Sequence, residues 1–437
     1  MRKMCVMSVA VFMSYICDAG AQRTWSLRQC VDHAVEHNLT VKQYENMVRQ
    51  RQISLSTSEN SRLPNLTASA NESMSFGRGL TSNNTYANRN TQSTNFDLST
   101  NVPLFTSGRI TNEIKLGRLD LEASMADLDK VKDNIELQVI RAYLDAIYQK
   151  DMVKVAEEQV RLSTLQVKRV QMLYDNDMRS GADLAQIKSA KASDESSLTQ
   201  QRNAYMLALL ELSQLLELPT PDGMDLVTPS TDVSELSDIP LPEVVYSEAV
   251  GMKPQVMAEQ MRLKSAEKGV KVARSSYFPS LYFSAGMGSS YYKTSGYDTP
   301  SFGSQMKDNF NRYMALSFSV PIFNRFATRN AVRTAKVQVN NQEIQLEETR
   351  KALYKEIQQA YYNALASKRQ CESAEMSLAS ANESFELTRN RYENGKANAT
   401  DFQEAKMSLM KAETTLLQSK YTFLFRREII NFYRRTR

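Results

Sequence analysis

Residues 142–176 read AYLDAIYQKDMVKVAEEQVRLSTLQVKRVQMLYDN, and residues 360–394 read AYYNALASKRQCESAEMSLASANESFELTRNRYEN. Both stretches open with Ala-Tyr and close with Tyr, an acid and Asn, and the offset between their residue numbers is 218. The same offset relates Val102-Pro103-Leu104-Phe105 to Val320-Pro321-Ile322-Phe323, whereas an offset of 215 relates Leu63-Pro64-Asn65-Leu66 to Phe278-Pro279-Ser280-Leu281. Blocks that recur in one order indicate an internal duplication. The offset changes by three residues between these blocks. This change indicates a small insertion in the polar stretch that separates them.

Long helices are predicted for both copies, because residues 118–180 and 322–394 contain neither glycine nor proline. At 1.5 Å per residue, straight helices of that length would measure about 95 Å and about 110 Å. Apolar residues recur there at every seventh position, in rows that include Val139, Ala146, Val153, Val160 and Val167 in the first copy and Ile357, Ala364, Cys371, Leu378 and Phe385 in the second. A second row is mostly Ala and Ser, which predicts coiled-coil packing between closely spaced helices.

Short segments with a period of two precede the long helices in each copy. Phe96, Leu98 and Val102 alternate with polar residues in the first copy, as Leu316 and Phe318 alternate with small ones in the second. This pattern predicts strands with one apolar face. It fits an ordinary sheet packed on a core and also a transmembrane barrel strand, and the pattern alone does not choose between them. The aromatic residues near the strand ends fit either reading.

The amino terminus reads as a secretory signal, with a basic start, an apolar stretch over residues 4–16 and the cleavage site Ala19-Gly20-Ala21. A lipoprotein signal ending at Cys17 is the alternative, although no small residue directly precedes that cysteine. The predicted organisation is a signal peptide (1–21), a first repeat (22–217), a proline-rich connector (218–243) and a second repeat (244–437).

Composition excludes several classes of protein. A mean hydropathy of −0.46 does not suit a polytopic helical membrane protein. Only two histidines, and cysteines without paired spacing, leave little room for histidine-based catalysis or for a multi-histidine metal centre. The net charge of +5 is mild for a nucleic-acid binder. We therefore expect no enzymatic activity, no cofactor, no metal and no nucleic-acid partner.

Two local motifs have alternative interpretations. His33 and His37, with Glu36, match an H-x-x-E-H metallopeptidase pattern, but the second copy has Glu248 and Met252 at the matching positions, which favours a plain surface helix. The basic end of the chain could bind nucleic acid or anionic lipid, or it could be a solvated helix face; its arginines are Arg426, Arg427, Arg434, Arg435 and Arg437.

Taken together, these features resemble the TolC-type outer-membrane efflux channels. Four strands cannot close a barrel alone, whereas three chains would supply twelve. The resemblance covers the mature chain and depends on the order and spacing of its blocks, which include Ala34-Val35-Glu36-His37-Asn38 and Arg391-Tyr392-Glu393-Asn394-Gly395 followed by Asp401. It implies a mainly α fold with a small β part. It also implies a homotrimer, with a 12-stranded barrel among outer-membrane lipid and a coiled-coil helical barrel in the periplasm. The implied partners are a periplasmic adaptor, an inner-membrane pump and a small-molecule or protein cargo.

The resemblance also assigns a periplasmic entrance to the turns between the long helices. The matching positions are Asp183 in the first copy and Tyr392, Asp401 and Glu404 in the second. In a trimer Asp401 and Glu404 would form two stacked acidic rings that attract cations; the alternative is that these residues only cap and solvate a turn. Asp177 and Ala397 depart from the family pattern, so the closing contacts are expected to differ. An exported coiled-coil scaffold or membrane-surface protein is the alternative function; it explains the long helices but not the strands.

Overall fold

The computed structural model describes residues 23–80, 84–228 and 239–435. The predicted signal peptide with Cys17, the middle of the connector (229–238) and Arg437 lie outside the described residues. The described part is mainly helical. Its helices are α1 (Leu27–His37), α2 (Leu39–Asn60), α3 (Arg109–Asp175), α4 (Gly181–Leu215), α5 (Pro242–Ala249), α6 (Pro254–Ser275), α7 (Phe302–Asp308), α8 (Ala327–Glu393) and α9 (Ala399–Arg434). Its strands are β1 (Arg23–Trp25), β2 (Asn65–Ser75), β3 (Arg78–Leu80), β4 (Tyr86–Asn88), β5 (Thr91–Phe105), β6 (Met224–Leu226), β7 (Ser280–Thr294) and β8 (Asn311–Ser319).

The boundaries of the elements confirm the duplication. Helices α3 and α8 are both 67 residues long. The first residues of α3 and α8 are related by the offset of 218 found in the sequence, and so are those of α4 and α9. The offset of 215 relates the starts of α1 and α5, of α2 and α6, and of β2 and β7. The offset therefore changes between the strands, where the first copy carries the β3–β4 hairpin and the second carries α7.

The opening segment of each copy, near Leu27 to Arg62 and near Val244 to Ser276, is predicted from the sequence as a single helix, but the structure has two helices in each. In the first copy the break is at Asn38, whose backbone is extended (φ −59°, ψ 130°) and whose side-chain oxygen accepts a hydrogen bond from Thr40 N at 2.9 Å. In the second copy the break falls at Gly251 and Lys253, before Pro254 opens α6. Asparagine and glycine favour these breaks because they readily adopt a non-helical backbone, and proline does so because it disfavours a helical conformation of the residue before it.

The chain divides into two units, and one of them (residues 46–127 and 255–349) contains the strands β2 to β5, β7 and β8. Its main sheet is antiparallel in the order β2-β5-β7-β8, so the strands of the two copies join at the β5–β7 pair. Leu98 lies opposite Ala68 on one side and Met287 on the other, which places these residues on one apolar face. On β8 the apolar face is bare, with Leu316 and Phe318 both 66% exposed. The predicted alternation is therefore confirmed.

The second unit (residues 23–45, 128–254 and 350–435) contains most of both helical hairpins. Its predicted heptad rows are buried or half-buried. In the first copy Val139 and Ala146 are 0% exposed and the later valines of the row are half-buried, and in the second Ala364 and Cys371 are 0% and 1% exposed. The parallel pair β1–β6 packs beside α3, where the hydroxyl of Tyr143 lies 2.6 Å from Val227 O and 3.0 Å from Trp25 O. Among the described residues, no helix is both long and apolar enough to cross a bilayer.

Candidate functional site

The two helical hairpins reverse direction through turns of the same geometry. Asp177 after α3 and Gly395 after α8 both adopt left-handed backbones, with φ 58° and 73°. In each turn the next residue donates a backbone hydrogen bond five positions back: Met178 N to Leu173 O and Lys396 N to Arg391 O, both 2.8 Å. These are Schellman C-caps, which glycine favours because it has no Cβ. Asp177 therefore holds the same turn as Gly395, with a less favourable residue.

The predicted acids Asp183 and Asp401 occupy the same place in their helices. Ser180 caps α4 and accepts a hydrogen bond from Asp183 N at 3.1 Å, and Asn398 caps α9 and accepts one from Asp401 N at 2.7 Å. Asp401 also accepts a hydrogen bond from Asn398 N at 3.4 Å, which completes a capping box. Both acids therefore lie in the first turn of a helix, where the helix dipole favours negative charge.

The side chain of Asp183 faces Arg179, and Arg179 also contacts Tyr392 of the second copy. The Arg179 Nη1 lies 3.8 Å from Asp183 Oδ2, and its guanidinium carbon lies 5.2 Å from the centroid of the Tyr392 ring. Arg179 thereby joins two of the predicted entrance residues, Asp183 from α4 and Tyr392 from α8. Arg179 was not predicted from the sequence, although it lies four residues before Asp183, which is the spacing of a helical ion pair.

Tyr392 is buried between the two hairpins. It is 4% exposed, and its ring stacks on Phe402 with centroids 5.0 Å apart. The surrounding apolar cluster draws on both copies, with Val170, Leu184 and Ile187 from the first hairpin and Phe385, Tyr392, Ala399, Phe402 and Leu409 from the second. The repeat-equivalent Tyr174 is 43% exposed, so the two copies use this tyrosine differently.

Asp401 and Glu404 are exposed on the first turns of α9. They are three positions apart, which places them on neighbouring positions of one helix face. The structure thus brings Asp183 and Tyr392 together through Arg179, while Asp401 and Glu404 form a separate acidic pair. Their role in an entrance stays a prediction.

Further polar contacts join the hairpins, and none of them was predicted from the sequence. Arg169 Nη1 lies 3.0 Å from Glu393 Oε1. Farther from the turns, Lys406 Nζ lies 2.6 Å from Asp194 Oδ2 and 2.7 Å from Ser163 Oγ, with the lysine side chain 6% exposed. An isolated buried lysine is unfavourable, so its pairing with Asp194 is needed for burial. Sequence periodicity does not detect such pairs, because the partners belong to different helices.

Two acids along the same hairpins have raised pKa values. Burial raises the pKa of Asp145, and the nearby carboxylate of Glu211 adds to the effect. Burial likewise raises the pKa of Glu413, with a smaller contribution from Glu158. The hydroxyl of Tyr421 lies 2.5 Å from Asp151 Oδ2, and burial followed by this contact raises the pKa of Tyr421. The Tyr421 contact also joins α9 of the second hairpin to α3 of the first.

The remaining motifs have structural explanations. The His33 and His37 rings stack with centroids 4.1 Å apart on α1, and in the described ranges no three His, Cys, Asp or Glu side chains are grouped to hold a metal. In the basic end, Arg434 pairs with Glu248 at 3.2 Å and Arg435 with Glu136 at 3.2 Å. These ion pairs favour a docked helix end over a nucleic-acid surface. Cys30 and Cys371 are both buried and unbridged.

Comparison with known proteins finds similarity to outer-membrane proteins. A profile of the family described as outer membrane efflux protein matches residues 30–217 and 245–427. The pyoverdine export outer membrane protein OpmQ of Pseudomonas putida is 23% identical over 329 residues, covering 74% of this chain and 66% of that protein. The probable outer membrane lipoprotein SilC of Salmonella typhimurium is 23% identical over 240 residues, covering 54% and 48%. The matched part of the chain thus spans about half to two thirds of these relatives' own length.

Solved structures show the same fold. The crystal structure of CusC superposes with a TM-score of 0.75 at 18% identity, covering 93% of this chain and 91% of that one. The structure of the outer-membrane channel OprN gives a TM-score of 0.74 at 19% identity, covering 93% and 89%. At such identities the likeness concerns the arrangement of helices and strands.

Proposed function

This chain belongs to the outer membrane efflux protein family, whose members are non-enzymatic outer-membrane proteins, and we propose that three copies of it form one export channel. In this proposal the sheets close a 12-stranded barrel in the outer membrane, and the hairpins form a conduit through the periplasm. A periplasmic adaptor and an inner-membrane pump supply cargo to the conduit, as in efflux or type I secretion.

The observation that carries the proposal is the open sheet. Strands β2 and β8 are its two edges, and each neighbouring pair across the sheet is antiparallel, so β8 runs opposite to β2. Pairing β8 of one copy with β2 of the next therefore continues the antiparallel pattern. Four strands are too few for a closed barrel, whereas twelve make an even-numbered barrel of the bacterial type. Closure would satisfy both edges and leave the apolar face of Leu316 and Phe318 against lipid.

The hairpins supply the conduit. Each 67-residue helix measures about 100 Å at 1.5 Å per residue, which is long for any compact domain. Their small seam residues, such as Ala364 and Ala374, let helices lie side by side in a wall. Such a wall encloses water and needs no catalytic centre.

The turns are the proposed entrance of the conduit. Asp183 and Tyr392 would set the resting packing of the hairpins, and Asp401 and Glu404 would each form a ring of three carboxylates. Rings of acidic side chains are a common selectivity device of cation channels. The names of similar proteins mention several kinds of cargo, in pyoverdine export, cation efflux, and toxin and drug export.

A pair of neighbouring substitutions on β8 tests the channel against the scaffold alternative. Arginine at the bilayer midplane costs about 2–4 kcal/mol per strand position, and lumen positions tolerate it. L316R, on the apolar face, should therefore lower the amount of protein in outer-membrane fractions. S317R, on the opposite face, should remain there as a heat-modifiable trimer with altered single-channel conductance in planar bilayers. Equal behaviour of the two variants, or wild-type protein that is soluble and gives no channels, would exclude the proposed barrel.

A further inference from the structure

The short helix α7 packs on the apolar face of the main sheet. The register places Phe96 opposite Ser289, two positions along β5 from Leu98 and on the same face. The centroids of the Phe302 and Phe96 rings are 6.5 Å apart, and Ser289 Oγ donates a hydrogen bond to Met306 O at 2.6 Å. Ser289 is 8% exposed, so α7 covers this part of the face.

The part that α7 covers lies at the end of the sheet far from the long helices. Strand β5 ends at Phe105 and leads into α3, and Phe96 is nine residues before Phe105. Nine residues span about 30 Å along a strand, or about 23 Å at a tilt of about 40°. The apolar band of a membrane barrel is about 25 Å tall. Beyond Phe96 the same face becomes polar, with Thr94 opposite Glu72. In the proposed barrel, α7 therefore marks the outer limit of the apolar band.

One arginine lies on this apolar face, just inside the limit. Arg312 on β8 is opposite Met287, which places it on the same face as Leu316. It is exposed, and its guanidinium carbon lies 5.3 Å from the centroid of the Phe310 ring, which precedes β8 at the outer end. Across the described ranges, no carboxylate pairs with Arg312. A lipid-facing arginine is unfavourable at the bilayer centre and much less so near the interface, where its side chain reaches the headgroups.

An apolar groove of about 380 Å³ adjoins this arginine. Leu98, Met287 and Met314 line it together with Arg312, and the small side chain of Ala285 leaves room between them. Met287 is opposite Arg312 and Ala285 is opposite Met314, so the groove follows the face from Arg312 towards the long helices. A cation therefore lies at the outer end of a surface that suits a hydrocarbon chain.

The duplication predicts how the next chain of a trimer would meet this surface. Leu66 is opposite Thr100 in the first copy, and Leu281 is opposite Phe318 in the second. The second pair is the first one shifted by 215 and 218 residues, so the two copies have one register. The same shifts applied to the β5–β7 pair give the register between β8 and β2 of the next chain.

In that register the next chain would bring no acid opposite Arg312. The pair Thr94 and Tyr291 becomes Arg312 with Phe76 of the next chain. The pair Leu98 and Met287 becomes Leu316 with Glu72 of the next chain, four residues away along β8. A neighbouring chain therefore leaves the cation available for another partner.

We propose that Arg312 and this groove bind one phosphorylated lipid of the outer leaflet in each chain. The site rests on the proposed barrel, because a barrel is what places the apolar face against lipid. The planar guanidinium donates hydrogen bonds to the phosphate oxygens, for which arginine is well suited. The acyl chain lies inward along Ala285 and Met314. Lys307, exposed on the last turn of α7, adds a second cation at the same outer edge.

Native mass spectrometry of the full-length trimer, purified in detergent, tests the site with monophosphorylated lipid A as the probe. We expect up to three lipids per trimer for the wild type. R312Q loses a charge-assisted phosphate contact and should bind about tenfold more weakly or worse. R78Q is the matched control, because Arg78 is also exposed and also lies over an aromatic ring, Tyr86, but on the β3–β4 hairpin. It should bind as wild type.

The groove is tested separately from the charge. A285F fills the groove and keeps Arg312, so it should weaken lipid A binding by about threefold or more. S317F places the same ring on the opposite face of β8 and should leave binding unchanged. Wild-type protein should bind dephosphorylated lipid A about tenfold more weakly, and millimolar inorganic phosphate, which has no acyl chain, should not displace lipid A.

The outcomes distinguish this site from the proposed function. A wild-type protein that forms no trimer in outer-membrane fractions would contradict the barrel and the site with it. A trimer that binds lipid A equally in R312Q and wild type would leave the channel intact and overturn the lipid site. Equal binding of dephosphorylated lipid A, or displacement of lipid A by inorganic phosphate, would likewise overturn it.

Discussion

The guanidinium of Arg179 lies over the ring of Tyr392, with 5.2 Å between the guanidinium carbon and the ring centroid. Arg179 belongs to the turn of the first hairpin and Tyr392 to the last turn of α8 in the second. The same arginine faces Asp183, so one side chain connects both hairpins near their turns. Its repeat equivalent is Ala397, so the second copy has no arginine that could make the same contact.

The Arg179 contact should be measurable by amide hydrogen exchange. A partly buried cation–π contact is worth about 1 kcal/mol, or about a fivefold change in a local opening constant. We therefore expect R179A to accelerate exchange in peptides spanning residues 388–400 by about that factor. R161A, which removes an exposed ion pair with Glu158 elsewhere on α3, is the control and should leave these peptides unchanged. Equal exchange in R179A and wild type would contradict the contact.

The two equivalent tyrosines should differ sharply in their effect on stability. Tyr392 is 4% exposed and Tyr174 is 43% exposed. Truncation of a buried aromatic ring costs about 3–5 kcal/mol because it leaves a cavity. Y392A should lower the free energy of unfolding in urea by about that amount, whereas Y174A should cost about 1 kcal/mol. Similar losses for both variants would show that Tyr392 is not packed as described.

The acidic pair on α9 should control cation block. If Asp401 and Glu404 form rings at the entrance, D401A/E404A removes six carboxylates from the proposed trimer and weakens block of the current by divalent cations by about tenfold or more. E372A/E375A carries the same change at two exposed acids with the same spacing on α8, away from the turn. Planar-bilayer recordings of both variants provide the comparison. Unchanged block in D401A/E404A would remove the acidic entrance from the proposal.

The raised pKa of Glu413 predicts that the stability of the protein depends on pH. Its pKa is raised, first by burial and then by Glu158, so the folded protein holds this proton more tightly than the unfolded chain does. The group therefore contributes stability only at low pH, and the contribution is lost as pH rises through its folded-state pKa. E413Q should unfold at a higher temperature than wild type at pH 7 and at the same temperature near about pH 3, where both states are protonated. The exposed E372Q serves as control, and a pH-independent difference for E413Q would contradict this assignment.

The hydroxyl of Tyr143 should anchor the β1–β6 pair. It lies between two backbone oxygens, 2.6 Å from Val227 O and 3.0 Å from Trp25 O, in a residue that is 1% exposed. Y143F leaves these acceptors without that donor and should cost about 1–3 kcal/mol. Faster amide exchange at residues 23–27 and 224–228, absent from the exposed control Y362F, would show the loss. Unaltered exchange in Y143F would mean that other contacts hold the strands.

The sequence by itself determined the duplication, the long helices, the buried heptad rows and the alternating strands. Each of these is a pattern along the chain: repeated blocks, runs without glycine, apolar residues seven apart, or apolar residues two apart. Periodicity describes one element at a time, so it predicted α3 and α8 and the apolar face of β5 correctly. It missed the break at Asn38, because one hydrogen bond from Thr40 N to the Asn38 side chain decides that break.

Only the tertiary structure decided which side chains meet between elements. Asp183 and Tyr392 were predicted together from a resemblance, but their connection through Arg179 depends on how two hairpins pack. The burial of Lys406 against Asp194 and Ser163 likewise needs three helices in place at once. No local pattern encodes such contacts, since each partner is an ordinary polar residue in its own helix. The physical reason is that the energy of a charge pair depends on distance and burial in space, and neither is a property of sequence spacing.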